Sequence, residues 1–149
     1  MRKWLFGIVA LGLSAGPAAA WSEMLEAHGA CYARDYGAQH LASHPHQRVS
    51  RIFLSNTALA DPAHKGAVLR FGVALRDGAQ YEANAYCTAT RCSLEGDGGT
   101  FEVTRSREAL RLTVDGFLGL EDAAGWSGNL YESDDRVFIL FPARPAACG

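Results

Sequence analysis

The chain has 149 residues, with 14 Lys and Arg against 16 Asp and Glu, a formal charge of −2 at neutral pH. Its cations are scattered, with no basic run and no aromatic interleaving, which argues against nucleic acid as a partner. Hydrophobic residues make up 48% of it, enough for a core and too many for a disordered polypeptide.

Residues 1–20 have the three parts of a secretory signal peptide. Arg2 and Lys3 precede an apolar run from Trp4 to Leu13, and small residues then lead to Pro17-Ala18-Ala19-Ala20. The apolar run is about half the roughly 20 residues a membrane-crossing helix requires, which disfavours an uncleaved anchor. Cleavage after Ala20 predicts one domain over residues 21–149, periplasmic or secreted, with no transmembrane segment left in it. Loss of Arg2 and Lys3 takes the formal charge from −2 to −4. The first cysteine, Cys31, lies well past the cut, so the pattern is not that of a lipidated N-terminus.

Helix formers around Glu23, Met24, Leu25, Glu26 and Ala27, with Ser22 as a cap, predict a short N-terminal helix. The rest of the stretch to Leu41 reads as an irregular segment lying on the fold. His40, His44 and His46 come next. On a helix His40 and His44 would share a face at i, i+4, as metal-binding pairs do. Pro45 pushes His44 out of helical geometry, and no acidic residue stands between Asp35 and Asp61 to complete a site. An exposed histidine-rich loop is the favoured reading, and neither a metal nor a cofactor is expected.

Val49–Ser55 reads as a strand. From Ala67 onward the pattern has period two: Leu69, Phe71, Val73 and Leu75, then Tyr81, Ala83, Ala85 and Cys87, then Cys92 and Leu94. Phe101 and Val103, Leu110 to Val114, and Leu118 and Leu120 continue the series, and Arg136–Phe141 adds a last strand. Asp77-Gly78, Asp97-Gly98 and Asp115-Gly116 read as the turns. A three-residue Arg76-Asp77-Gly78 loop opposes Val73 with Tyr81 and Phe71 with Ala83, keeping one face apolar. By the same reasoning Asp97-Gly98 opposes Cys92 with Val103, and Val114-Asp115-Gly116 opposes Leu112 with Leu118. About eight short strands in an antiparallel meander predict a mostly β fold, a small closed barrel, with a two-sheet sandwich as the competing architecture.

Four cysteines in an exported chain read as disulfides rather than as a zinc site, because only Cys87 and Cys92 are closely spaced. The meander opposes Cys87 and Cys92 across a hairpin mouth, and elimination pairs Cys31 with Cys148.

Three further stretches are weighed for chemistry. Glu95-Gly96-Asp97-Gly98-Gly99 has too few oxygens for calcium and fits a tight turn. Glu132-Ser133-Asp134-Asp135 reads as a solvated acidic loop rather than a cation site. Ser127 lacks the strand–turn–helix setting of an activated nucleophile, and no carboxylate or histidine spacing singles out an acid–base pair, so no enzyme is indicated.

His40-Leu-x-x-His44-Pro45, Tyr86-Cys87 and Cys92-Ser-Leu-Glu95-Gly-Asp97-Gly98-Gly99 together resemble small exported bacterial proteins of unknown function. That resemblance covers most of residues 31–140 and implies no activity. Ser127-Gly128-Asn129-Leu130-Tyr131 resembles the Ser-Gly-x-x-Tyr loop of the periplasmic lysozyme inhibitors of the small-barrel type. In that family the loop enters the acidic lysozyme cleft, which implies inserting roles for Ser127, Gly128 and Tyr131. Glu132, Asp134 and Asp135, which follow the loop here, oppose such docking. The expected function is a monomeric, non-enzymatic binding module of the cell envelope for a small molecule or protein partner. The alternative is an inhibitor of a wall-degrading enzyme acting through Ser127–Tyr131.

Overall fold

In the computed structural model, which describes residues 20–123 and 125–149, eight strands close into one antiparallel barrel. In chain order they are β1 (Cys31–Asp35), β2 (Val49–Ser55), β3 (Ala67–Leu75), β4 (Gln80–Thr88), β5 (Arg91–Leu94), β6 (Gly99–Ser106) and β7 (Ala109–Leu118), then β10 (Val137–Ala143). The short pair β8 (Glu121–Asp122) and β9 (Gly125–Trp126) forms a separate ribbon between β7 and β10. Each barrel strand pairs with its neighbours in sequence, and β10 closes on β1 through Cys31↔Ala143, Tyr32↔Pro142 and Ala33↔Phe141. Closure leaves the sheet without a free edge. The leader read over residues 1–20 lies, but for Ala20, outside the described residues.

Period two dictates which side chains turn inward. Phe71 from β3, Phe101 from β6 and Phe138 from β10 are each at most 1% exposed, as are Ile52, Leu54, Leu69, Leu110, Leu112 and Leu140. The rings of Phe71 and Phe101 lie 5.3 Å apart, centroid to centroid, across the interior. An eight-stranded barrel is just wide enough to be filled by side chains or to hold one small ligand. This one is filled. Each such side chain contributes about 1.5–3 kcal/mol by burial.

The Asp77-Gly78 hairpin has the predicted register, Val73↔Tyr81 and Phe71↔Ala83, and Cys87 faces Cys92. Two other turns differ. Residues 95–97 make a 3-10 turn with positive φ at Gly96 and Asp97, and the ladder pairs Cys92 with Phe101 instead of Val103. Asp115-Gly116 is no turn at all, because β7 runs through it. Gly116, at φ +76°, sits in a bulge where the register passes from Phe101↔Val114 to Gly99↔Leu118. The β6–β7 reversal comes at Arg107-Glu108, so Leu112 opposes Val103 rather than Leu118.

The eighth strand is therefore not Leu118–Leu120 but β1, which lies in the segment expected to be irregular. The N-terminal helix α1 (Trp21–Met24) has only four residues, and Ser22 lies within it instead of capping it. A second helix, α2 (Ala38–Ser43), precedes Pro45.

Both disulfides are present, Cys31–Cys148 and Cys87–Cys92, with Cα separations of 5.9 and 4.0 Å. The second lies in the barrel interior. The first joins Ala33 and Phe53 in a small outer cluster beneath a 3-10 turn at Pro145–Cys148. The Phe53 ring lies so close to β3 that a Cβ at Gly72 would come within 2.2 Å of it, which explains a glycine in mid-strand.

Candidate functional site

One end of the barrel, where β2 leaves and β3 enters, is closed by α1. Trp21 is 6% exposed and its indole N–H donates to the Ala89 carbonyl at 3.1 Å, tying α1 to the β4–β5 hairpin. Leu25 packs beside it in the core. The Asn56 side-chain amide donates to the Leu25 and Glu26 carbonyls at 2.8 and 3.1 Å, which holds the root of the 56–66 loop against the helix. At the other root, a Cβ on Gly66 would come within 2.0 Å of the Cys87 carbonyl oxygen, so only glycine allows this approach.

Between α1 and the loop lies an open groove of about 610 Å³. Trp21, Leu25 and Leu69 line it from the core side, Leu59 from the loop, and Glu26 and Asp61 at the edge. Leu59 is 92% exposed and covered by nothing. The groove thus offers apolar surface and two carboxylates, a combination suited to binding. Sequence reasoning passed over it. The available signal was a lone leucine in a loop otherwise made of small and polar residues.

His40, His44 and His46 lie at the opposite end. His40 is in α2 and His44 caps its C-terminus at φ −125°, the departure from helix that Pro45 predicts. Their rings nevertheless stack, with centroids 4.1 Å apart and planes 13° from parallel. Imidazole lone pairs lie in the ring plane, so near-parallel stacked rings do not converge on one ion. His40 Nε2 lies 2.9 Å from Gln47 Oε1, and His44 Nδ1 lies 2.8 Å from the His40 carbonyl. His46 is exposed. No group of three or more His, Cys, Asp or Glu among the described residues is arranged to hold a metal ion.

Ser127 is 2% exposed. Its hydroxyl accepts from the Leu120 N–H at 2.9 Å and donates to the Gly128 carbonyl at 2.8 Å. Arg48 donates to the Ser127 carbonyl at 2.6 Å, and Leu130 is fully buried. Tyr131 is half-buried beneath the Arg136 guanidinium, 4.6 Å from its ring centroid. The loop plugs the barrel rather than standing out from it.

The acidic run is divided. Glu132 and Asp134 are exposed, but Asp135 is 1% exposed, so the expectation of a wholly solvated loop fails at that residue. Near it, burial pushes the Tyr36 phenol above its ordinary pKa, Arg34 opposing and Asp135 adding to the shift. Glu95 and Asp97 are exposed on their turn. No protein-family model, curated protein or solved structure matches the chain.

Proposed function

We propose that this chain is an exported, non-enzymatic binding module of the cell envelope that holds a small apolar molecule at the barrel mouth. The observation that carries this reading is the groove between α1 and the 56–66 loop. Its volume, about 610 Å³, is within the range of ligand sites, and Leu59 is left bare above an apolar floor. The filled interior directs the ligand to the mouth. Glu26 and Asp61 at the edge favour a molecule whose polar end is neutral or cationic. Two disulfides in 149 residues fit an oxidising compartment such as the periplasm or the exterior. Lysozyme inhibition through the Ser127 loop draws no support from a hydroxyl that is buried and already bonded twice.

Titration with Nile red, a neutral apolar fluorophore, tests the groove. The dye is expected to bind with a blue shift, and Leu59→Ser is expected to weaken it about fivefold through lost apolar contact. Ala58→Trp, which fills the groove, is expected to abolish binding without lowering the melting temperature. Dye binding unchanged by both substitutions overturns the reading.

A further inference from the structure

The two walls of the mouth groove hang on one short hairpin. β4 and β5 are joined by the turn Ala89-Thr90, and the Cys87–Cys92 bridge crosses the strands beside it. From α1, the Trp21 indole N–H reaches the Ala89 carbonyl at 3.1 Å. From the far root of the 56–66 loop, His64 Nε2–H donates to the Cys87 carbonyl at 3.2 Å. The His64 ring also meets the Tyr86 ring edge-on, with centroids 5.3 Å apart, and Gly66 crowds the same Cys87 oxygen. Asn56 holds the near root of the loop to α1, so helix, loop and hairpin form a ring of ties around the groove. Two of those ties end on hairpin carbonyls.

The bridge has its main effect locally. A loop of 5 residues restrains the unfolded chain far less than the 117-residue loop closed by Cys31–Cys148. The hairpin is already closed by its ladder, through Ala85↔Leu94, Tyr86↔Ser93 and Thr88↔Arg91. What the bridge adds is a fixed geometry at the tip. Ala89 stands at φ +51°, in the left-handed region that a Cβ disfavours. The carbonyl that takes the Trp21 N–H is thus aimed by a backbone conformation that needs restraint from its surroundings.

We infer, on the reading of the groove as a ligand site, that the Cys87–Cys92 hairpin is its positioning element. The bridge sets the Cys87 and Ala89 carbonyls in place, and they in turn set the separation of α1 from the loop. Cys87, Ala89 and Cys92 do not line the groove, so they act through Trp21, His64 and Gly66. A groove held open in advance spares the ligand the cost of ordering its walls.

Nile red titration tests this, at a temperature where melting curves show every variant folded. Cys87→Ala with Cys92→Ala is expected to weaken binding about tenfold, because the dye must then order both walls. Cys31→Ala with Cys148→Ala leaves both ties to the hairpin intact, and Cys31 keeps its ladder partner Ser55. That variant should change dye affinity less than about twofold, although its bridge closes the longer loop. His64→Ala cuts one tie without touching the groove lining and should weaken the dye about threefold. His64→Gln, whose amide can donate to the same carbonyl, should restore most of that loss. Without dye, hydrogen exchange at the Leu25 and Glu26 amides should rise in the Cys87, Cys92 variant and not in the Cys31, Cys148 variant.

Unchanged dye affinity in Cys87→Ala with Cys92→Ala overturns the inference and leaves the groove reading standing. Equal losses in the two double variants also overturn it, because affinity would then follow general stability. A loss in His64→Ala that His64→Gln does not restore removes the Cys87 carbonyl from the positioning role. If the unaltered protein binds no dye, the groove reading itself fails and the inference falls with it.

Discussion

Asp135 gathers more hydrogen bonds than any exposed carboxylate needs. Its Oδ2 accepts from the Arg48 backbone N–H at 2.7 Å and from the Ser133 hydroxyl, and its Oδ1 accepts from the Val49 N–H at 3.1 Å. The Val49 N–H begins β2 and the Arg48 N–H immediately precedes it, so the carboxylate joins the entry of one strand to the segment that leads into β10. A buried carboxylate is tolerated only because each oxygen is supplied with donors. Asp135→Asn turns an amide N–H₂ toward one of those N–H groups and leaves a buried donor unsatisfied. The expected loss is about 2–3 kcal/mol, measured by urea denaturation. Asp134→Asn, one residue away and exposed, is expected to change stability by less than about 0.5 kcal/mol. Equal effects at the two positions would mean that the Asp135 bonds are not what secures this end of the barrel.

At the scale of elements, the hydrophobic pattern located nearly every strand yet misplaced two registers. A slip of two residues leaves every side chain on its original face, so pairing Cys92 with Val103 satisfied the apolar alternation as well as the observed pairing with Phe101. Asp115-Gly116 gave a turn signal because a bulge asks for the same left-handed glycine that a turn does. Arg107-Glu108 gave none, since neither residue is a usual turn former. Five residues of β1 escaped because Cys31, Tyr32, Ala33, Arg34 and Asp35 do not alternate cleanly in polarity. Tyr32 packs against the interior while Cys31 and Ala33 join the outer cluster. The groove at the mouth was equally illegible, being formed by the spacing of a helix and a loop and by no motif.

The hairpin that the sequence hid makes a test of its own. Arg107 holds φ +58° at the first position of a two-residue turn, a conformation glycine adopts without strain. Arg107→Gly is expected to stabilise the protein by about 0.5–1 kcal/mol, read from the denaturation midpoint at constant slope. A destabilisation would show that the arginine side chain outweighs its backbone strain.

The whole molecule is a meander, so most ladders join strands adjacent in sequence and one ladder must join the ends. That closing ladder, β1 on β10, has only three paired residues, the thinnest part of the wall along with β5 on β6. Cys31 lies in it, opposite Ala143, and Cys148 follows five residues later. The Cys31–Cys148 bridge therefore fastens the seam and closes a loop of 117 residues, whereas Cys87–Cys92 closes a loop of 5 within one hairpin. Loop-closure entropy assigns about 5 kcal/mol to the first and about 2 kcal/mol to the second. Burial does not separate the two bridges, because Cys87 and Cys92 are 2% and 0% exposed and Cys31 and Cys148 are 4% and 3% exposed, so replacement by alanine loses packing of about 1 kcal/mol at either. The entropic difference therefore decides between them. Cys31→Ala with Cys148→Ala is accordingly expected to lower the melting temperature more than Cys87→Ala with Cys92→Ala. Hydrogen exchange separates the mechanisms further, with the first pair raising exchange along β1 and β10 and the second raising it at the β4–β5 hairpin. The reverse order of melting temperatures would place the weight of this barrel on its packed interior and not on the covalent closure of its seam.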